Sequence, residues 1–429
     1  MVGLLKNGLT RRSALTTIGA GVATLAAPSI LRAASGGTIK IGFVSPITGQ
    51  LSQFGETDKY TLEWVRGLLA KGLEINGKTY SVEILDRDAQ SNPNRAAELA
   101  GELIQNEKVH LMIPASTTDV GLSVAEQSEL FGTPCISSTA PWQAIVMPRG
   151  GANKAFDWTY HFFWGLEDII ATFVNVWKSV DTNHKVGLIL PRNTDGEVWG
   201  DKKIGLPPAM RERGFEVITP SLYQPRTNDF SSQIAAFRDA GCGILGGLVY
   251  PADLRTLVNQ CAQQNFKPPV VTAAAGLLFA SNVEAVGNLG LGMSSEVWWT
   301  PAFPFKSSLT GESSEAIAKA WETKTGKQWT QPLGYSHAIW EIVIDTLKRS
   351  ADPLSREAIR DSLKATNLQT LVGKIKFGDG PHPNVSKTPI LGGQWVKGSK
   401  WPFDLKIVET SLYPIMKPEG KLEPLPWRS

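Results

Sequence analysis

The feature that most constrains this chain is a regular alternation of short apolar runs with longer segments of helical periodicity. In the first block, strands are predicted at 39–44, 80–85, 109–113 and 134–137, and helices at 56–71, 94–107 and 119–131. Such alternation is typical of parallel sheets that are covered by helices on both faces. The pattern therefore predicts an α/β fold.

A second block of the same kind follows a stretch rich in Gly and Asn near 150–160. Its predicted strands are 185–190, 215–219, 243–249 and 269–273, and its predicted helices are 167–180, 201–213, 229–240 and 252–265. The last third differs, with long helices at 313–326, 333–350 and 355–366 and strands near 371–377, 390–396 and 404–409. Two blocks predict two doubly wound lobes.

The N-terminal segment reads as an export signal, assigned to residues 1–35. A basic start that contains Arg11 and Arg12 leads into a short apolar run and a small-residue cleavage zone near Ala33–Ser35. The apolar run is shorter than the ~20 residues that a membrane-spanning helix needs. The string Thr-Arg-Arg-Ser resembles a twin-arginine signal, and an ordinary secretion signal is the alternative. The expected location is the periplasm.

Charge and cysteine content exclude several classes of function. Removing the four basic residues of the signal from a total of 43 leaves 39 basic against 40 acidic residues, so no electrostatic footprint for nucleic acid remains. Cys135, Cys242 and Cys261 form no metal-binding spacing, and the two latter could pair or remain free. The sequence predicts no metal and no cofactor, and it shows no nucleophile motif of a hydrolase.

Polar turns follow two predicted strands of the first block. Residues 115–119 (ASTTD) and 137–142 (SSTAPW) place hydroxyl side chains where a strand ends and a helix begins. Ligands of open α/β sheets bind at such junctions. Free backbone N–H groups and hydroxyl donors can hold a carboxylate there, although helix capping alone would use the same residues.

These turns, together with SPITGQLSQFG, DGEVWGD and GGLVYPADL, resemble the branched-chain amino-acid-binding family of periplasmic receptors in order and spacing. The resemblance implies a type I binding-protein fold, in which two doubly wound lobes are joined by three crossovers and close over a ligand. Lobe 1 is expected at 37–158 and 301–372, lobe 2 at 159–300 and 373–412, and a tail at 413–429.

The resemblance also implies a ligand site, carried over by position. The expected ligand-binding residues are Phe54, Ser116, Thr117, Thr118, Ser137, Ser138, Thr139, Trp199, Tyr250 and Ala275. The hydroxyl turns would hold a ligand carboxylate, with their register uncertain by one or two residues, and the aromatic residues would wall the site.

This chain departs from the family at one position. The amino-acid binders carry an acidic residue for the ligand ammonium where this sequence has Ala274 or Ala275. Burying an ammonium without a carboxylate partner costs several kcal/mol. Leucine, isoleucine and valine are therefore expected to bind worse than deaminated or aromatic carboxylates, unless Asp253, Glu284 or Glu296 supplies the acid from elsewhere.

The sequence as a whole indicates a passive receptor, and not an enzyme. We expect a monomer that delivers a small organic ligand to the membrane permease of an ABC importer. A ligand-sensing subunit of a regulatory assembly would use the same fold and remains an alternative.

Overall fold

The computed structural model describes residues 34–150 and 156–427, so all but the last two residues of the predicted signal lie outside the described part. The strands, in chain order, are β1 Ala34–Ser45, β2 Leu73–Ile75, β3 Lys78–Asp88, β4 Leu111–Pro114, β5 Cys135–Ser138, β6 Thr159–Phe162, β7 Lys185–Ile189, β8 Glu216–Ile218, β9 Ile244–Val249, β10 Val270–Ala275, β11 Ser294–Val297, β12 Asn367–Thr370, β13 Gly373–Lys376, β14 Val385–Ser386, β15 Leu391–Lys397 and β16 Phe403–Glu409.

The helices cover these strands as the periodicity predicts. They are α1 Ser52–Leu68, α2 Pro93–Gln105, α3 Thr118–Leu130, α4 Trp142–Val146, α5 Leu166–Lys178, α6 Thr194–Trp199, α7 Leu206–Glu212, α8 Ser231–Asp239, α9 Pro251–Gln263, α10 Ala280–Val286, α11 Ser314–Thr325, α12 Pro332–Arg349 and α13 Arg356–Lys364. The helix predicted at 201–213 is α7 and begins only at Leu206, while α6 precedes the predicted range. Gly205 lies between them in close contact with α6, since a Cβ at this position would lie 2.5 Å from the Trp199 carbonyl oxygen.

Two seven-stranded sheets form the two lobes. The first has the order β14-β6-β5-β4-β1-β3-β2, and all neighbours are parallel except β2 and β3. The second has the order β16-β15-β11-β10-β9-β7-β8, with antiparallel pairing only for β15. β12 and β13 form a separate antiparallel hairpin. The predicted α/β fold of two doubly wound lobes is confirmed.

The chain passes between the two sheets three times, at 163–165, 298–300 and 387–390, as a type I binding fold requires. The boundaries predicted at 159 and 373 are displaced. β6 pairs with β5 in the first sheet, with Cys135 opposite Thr159, and β14 pairs with β6. The first lobe's sheet therefore extends to Phe162 and takes a further strand from 385–386, because each added strand pairs backbone groups that burial would otherwise leave unsatisfied.

The interior of both lobes is apolar and closely packed. Central strands such as β4, β9 and β10 are buried along their whole length, which explains why they read as continuous apolar runs. The three cysteines are buried and free. Within the described residues, no helix is long and apolar enough to span a membrane.

A glycine in β9 tests the sheet register. Gly247 has a φ of 140°, and a Cβ there would lie 2.0 Å from the Ile189 carbonyl oxygen of β7. Gly214 has a φ of 91° with open space around it. We expect Gly214→Ala to cost about 1–2 kcal/mol, the penalty of a left-handed backbone alone. Gly247→Ala should lower the unfolding free energy by clearly more in urea titrations. Equal losses would contradict the β7–β9 contact.

Candidate functional site

A cleft lies where the carboxyl ends of strands from both sheets meet. Both lobes and two of the crossovers contribute to its wall. The lining residues are Leu51, Phe54, Thr117, Thr118, Thr139, Pro141, Phe163, Trp164, Asp195, Trp199, Leu248, Tyr250, Ala274, Ala275, Glu296 and Trp298. Seven of the ten residues predicted to bind the ligand are therefore brought together here.

The first lobe presents hydrogen-bond donors at the start of α3. Thr117 precedes this helix with a φ of 71°, and its side chain makes no capping bond, so the first backbone N–H groups of α3 lack the usual side-chain partner. Thr117 N donates to Thr139 Oγ1 (3.1 Å), which in turn donates to the Ser138 carbonyl oxygen (2.8 Å). Thr117 Oγ1 is buried and has no partner among the described residues. These groups can receive an anionic ligand end.

The other three predicted hydroxyls do not line the cleft, and each of them is hydrogen-bonded to another group of the protein. Ser116 Oγ donates to Asp58 Oδ2 (2.8 Å), Ser137 Oγ lies 2.9 Å from His161 Nδ1, and Ser138 Oγ donates to the Phe162 carbonyl oxygen (2.6 Å). Ser137 and Ser138 belong to β5, which directs their side chains to neighbouring strand groups. Ser116 lies beyond the end of β4 but is held by Asp58 of α1. The role of these three serines as ligand contacts stays a prediction that these protein hydrogen bonds do not favour.

The second lobe contributes a polar cluster around Tyr250. Tyr250 Oη donates to Asp195 Oδ2 (2.6 Å) and accepts from Asn193 Nδ2 (2.6 Å). Asn193 also caps α6 by accepting from Gly196 N. Burial raises the pKa of Asp195, while hydrogen bonds from Thr118 and Tyr250 oppose this rise. The Tyr250 hydroxyl is thus fixed by the protein.

Aromatic side chains wall the space between these polar ends. Phe54 packs edge-on against Phe279 and lies 6.3 Å from Trp298, while Trp164 lies 6.0 Å from Trp298 and 6.5 Å from Trp199 by ring centroids. Trp164 is 1% exposed, and its Nε1 donor has no partner among the described residues. Unpaired buried donors cost free energy unless a ligand satisfies them.

The side chain of Glu296 lies beside Ala275, the position at which the sequence itself has no acid. Ala275 has a φ of 62°, and its N–H donates to Glu296 Oε1 (3.2 Å) from the neighbouring strand β11. Glu296 is buried in the cleft wall, and burial raises its pKa to about 7. Asp253 and Glu284 do not line the cleft. Of the alternatives weighed from the sequence, only Glu296 is placed to meet a ligand.

The lobes are also linked directly at the cleft mouth. Gln53 on α1 and Asn282 on α10 form a reciprocal amide pair, with Nε2 to Oδ1 at 2.9 Å and Nδ2 to Oε1 at 3.1 Å. Asn282 Nδ2 additionally donates to the Gly276 carbonyl oxygen (2.8 Å). α1 of the first lobe and α10 of the second are therefore joined by direct hydrogen bonds.

Sequence reasoning missed several lining residues. They are Leu51, Pro141, Phe163, Asp195 and Leu248. One of them had a readable signal: Asp195 lies four residues before Trp199, which places both on one face of α6. Phe163 lies in the first crossover, which was predicted four residues too early.

Ser116 and Thr117 are adjacent hydroxyls with opposite roles in stability. Ser116→Ala removes a buried hydrogen bond to a carboxyl group and should lower the unfolding free energy by about 1–3 kcal/mol. Thr117→Val replaces an unpartnered hydroxyl by a methyl of similar shape and keeps the branched Cβ. We expect it to leave stability unchanged or higher. Urea unfolding measures both, and equal losses would show that the roles are assigned wrongly.

Comparisons with known proteins agree with this geometry. A family model described as periplasmic binding protein matches residues 38–398. A Leu/Ile/Val-binding protein homolog 8 of Brucella abortus (strain 2308) is 22% identical over 379 residues, covering 84% of this chain and 89% of the relative.

Two solved structures share the fold at low sequence identity. The leucine-binding protein LivK of Thermotoga maritima has a TM-score of 0.70 and 17% identity, covering 86% of this chain and 99% of that one. A solute-binding protein of an ABC transporter from R. palustris, in complex with 4-hydroxybenzoate, has a TM-score of 0.71 and 16% identity, covering 87% and 96%. This chain belongs to the periplasmic binding protein family, and its fold is that of the type I members.

Proposed function

We propose that this protein is the periplasmic receptor of an ABC importer for a small organic carboxylate with an apolar or aromatic body. It is exported through the twin-arginine signal, closes over the ligand as a monomer, and presents both lobes to a membrane permease. Catalysis is not part of this function. The observation that carries the proposal is that three buried donors in one interlobe cleft, Thr117 Oγ1, Trp164 Nε1 and Trp298 Nε1, have no partner among the described residues.

The donors favour a ligand that brings acceptor oxygens. An unsatisfied buried donor costs about 1–3 kcal/mol, and a carboxylate would remove this cost while gaining charge-assisted hydrogen bonds. The start of α3 adds backbone N–H groups and the positive end of a helix of 13 residues. A carboxylate is the ligand group that best uses these features together.

The walls favour an apolar ligand body. Five aromatic side chains line the cleft, namely Phe54, Phe163, Trp164, Trp199 and Trp298. Offset and edge-to-face contacts with such rings stabilise a bound aromatic group by about 0.5–1.5 kcal/mol beyond burial of its area.

Solved relatives of the same fold hold ligands of two kinds. Those of R. palustris are in complex with 4-hydroxybenzoate, benzoate or 3,4-dihydroxybenzoate, and LivJ of Streptococcus pneumoniae is in complex with isoleucine. Every one of these ligands carries a carboxyl group. Ala274 and Ala275 carry no acid, and burial raises the pKa of Glu296, the acid that reaches this place from β11, to about 7. Because burial disfavours the charged carboxylate that an ammonium would need, we favour the carboxylates without an ammonium for this chain.

Calorimetry on the mature protein, first stripped of carried-over ligand by partial unfolding and refolding, tests the proposal. The panel is benzoate, 4-hydroxybenzoate, L-3-phenyllactate, L-phenylalanine and L-leucine. We expect at least one carboxylate without an ammonium to bind at least tenfold more tightly than leucine. Thr117→Val should weaken that ligand by about 1–3 kcal/mol, because one hydrogen bond to a charged group is lost; Thr117→Ser serves as the control that keeps the hydroxyl.

Two results would contradict the proposal. If none of the carboxylates in the panel binds, the proposed function is wrong. Unchanged affinity in Thr117→Val would show that the start of α3 does not hold the carboxylate.

A further inference from the structure

The carboxyl group of Glu296 stands in the cleft without any basic partner. Of the described residues that line the cleft, none is Lys, Arg or His, whereas two are acids, Asp195 and Glu296. Glu296 is 1% exposed. An ionised carboxylate in such surroundings is strongly disfavoured unless a cation or several donors compensate for the lost hydration.

Neighbouring hydrogen bonds show where a proton on Glu296 would go. Ser295 Oγ lies 2.8 Å from Glu296 Oε2 and 3.2 Å from the Ala273 carbonyl oxygen. A hydroxyl has one proton and can donate to only one of these oxygens. If Glu296 is protonated, its Oε2–H donates to Ser295 Oγ, and Ser295 donates to Ala273. Both contacts are then satisfied, whereas an ionised Glu296 satisfies only one.

The other oxygen of Glu296 remains an acceptor. Oε1 accepts from Ala275 N at 3.2 Å, a long contact for a charged acceptor. With its proton committed to Ser295, the carboxylic acid offers the cleft a neutral carbonyl-like oxygen. That oxygen can accept from a hydroxyl group, but it cannot neutralise an ammonium.

We propose that Glu296 serves this cleft as a neutral carboxylic acid, which makes the receptor select carboxylates whose second polar group is a hydroxyl over those with an ammonium. This inference rests on the proposed function and names its ligand class as hydroxy-carboxylates. Burial raises the pKa of Glu296 to about 7, against the opposing effect of the hydrogen bonds from Ser295 and the Ala275 backbone, so the protonated acid predominates below neutral pH.

The titration of Glu296 has to be distinguished from that of the other titratable groups near it. They are Asp195 and Tyr250 across the cleft, Asp119 behind Asp195, and Glu167 and Asp168 at the start of α5, which packs against β11. Glu167 and Asp168 pair with Lys387. Opposite Glu296 in the sheet, β15 presents Gly392 and no charged group. Burial raises the pKa of Asp119 to about 6, so Asp119→Asn is the variant that separates its titration from that of Glu296.

The sign of the pH dependence follows from the proton on Glu296. If the complex needs the protonated acid, affinity is constant well below the pKa of free Glu296 and falls as pH rises through it, by up to tenfold per pH unit. L-3-phenyllactate and L-phenylalanine are a matched pair for this test, because a hydroxyl in one replaces an ammonium in the other. Between pH 5.5 and 8, phenyllactate stays a carboxylate with a neutral hydroxyl, and phenylalanine stays a zwitterion.

The experiment measures both ligands by calorimetry on the wild type, Glu296→Gln and Asp119→Asn across this pH range. Glutamine copies the protonated acid, since its amide can donate to Ser295 and its carbonyl can accept. We expect phenyllactate to bind at least tenfold more tightly than phenylalanine, and Glu296→Gln to retain phenyllactate affinity within about threefold with a flat pH profile. The Asp119→Asn profile should keep the wild-type midpoint.

Proton uptake provides a second measurement that needs no variant. Titrations at pH 7.5 in two buffers of different ionisation enthalpy should show protons taken up when phenyllactate binds to the wild type. Tighter binding of phenylalanine, proton release, or a loss above tenfold in a folded Glu296→Gln would overturn the inference while leaving a carboxylate receptor intact. Absence of binding by every carboxylate would instead overturn both proposals.

Discussion

Parallel strand pairing is the constraint on which the rest of this structure depends. A parallel sheet sends the carboxyl ends of all its strands to one edge, and each strand then turns into a helix whose first N–H groups lack intrahelical partners. Two such sheets, joined by three crossovers, bring both edges to the same cleft. The topology therefore gives that cleft its polar groups, and the sequence determines which of these N–H and hydroxyl groups have no partner within the protein.

Backbone conformation at the strand ends determines which of these groups remain without a partner. Thr117, Thr139 and Ala275 line the cleft with φ values of 71°, 60° and 62°, a region that residues with a Cβ seldom occupy. Such positions cost about 1–3 kcal/mol each and persist where the surrounding structure holds them. Here they turn the chain sharply at the strand ends, so that Thr117 fails to cap α3 and Ala275 directs its N–H to Glu296.

The pattern of strands and helices could be predicted because buried parallel strands and amphipathic helices leave different periodicities in the sequence. β6 was assigned to the wrong lobe because its short run, Thr159–Phe162, follows a stretch rich in Gly and Asn that reads as a linker. Only hydrogen bonding to β5 and β14 reveals its place. Local pattern predicts what an element is, but pairing partners depend on contacts distant in the chain.

The same limit applies to the site. The hydroxyl turns were recognisable, yet the sequence could not distinguish Ser116, whose hydroxyl donates to Asp58, from Thr117, whose hydroxyl has no partner among the described residues. The reason is that Asp58 lies 58 residues earlier in the chain. The empty position at Ala275 was read as the absence of an acid, although β11 supplies Glu296 to the same place through sheet pairing.

An acid that arrives from a neighbouring strand is not equivalent to one at position 275. A carboxylate on the turn itself could lean toward a ligand, whereas Glu296 belongs to a strand that is buried along its whole length. Its carboxyl group is held by Ala275 N and Ser295 Oγ, both within or next to the sheet. Burial raises its pKa to about 7, so a much larger fraction of this carboxyl group is protonated near neutral pH than of an exposed glutamate. Moving one acid between adjacent strands can in this way change which ligands a conserved architecture accepts, without any change in the fold.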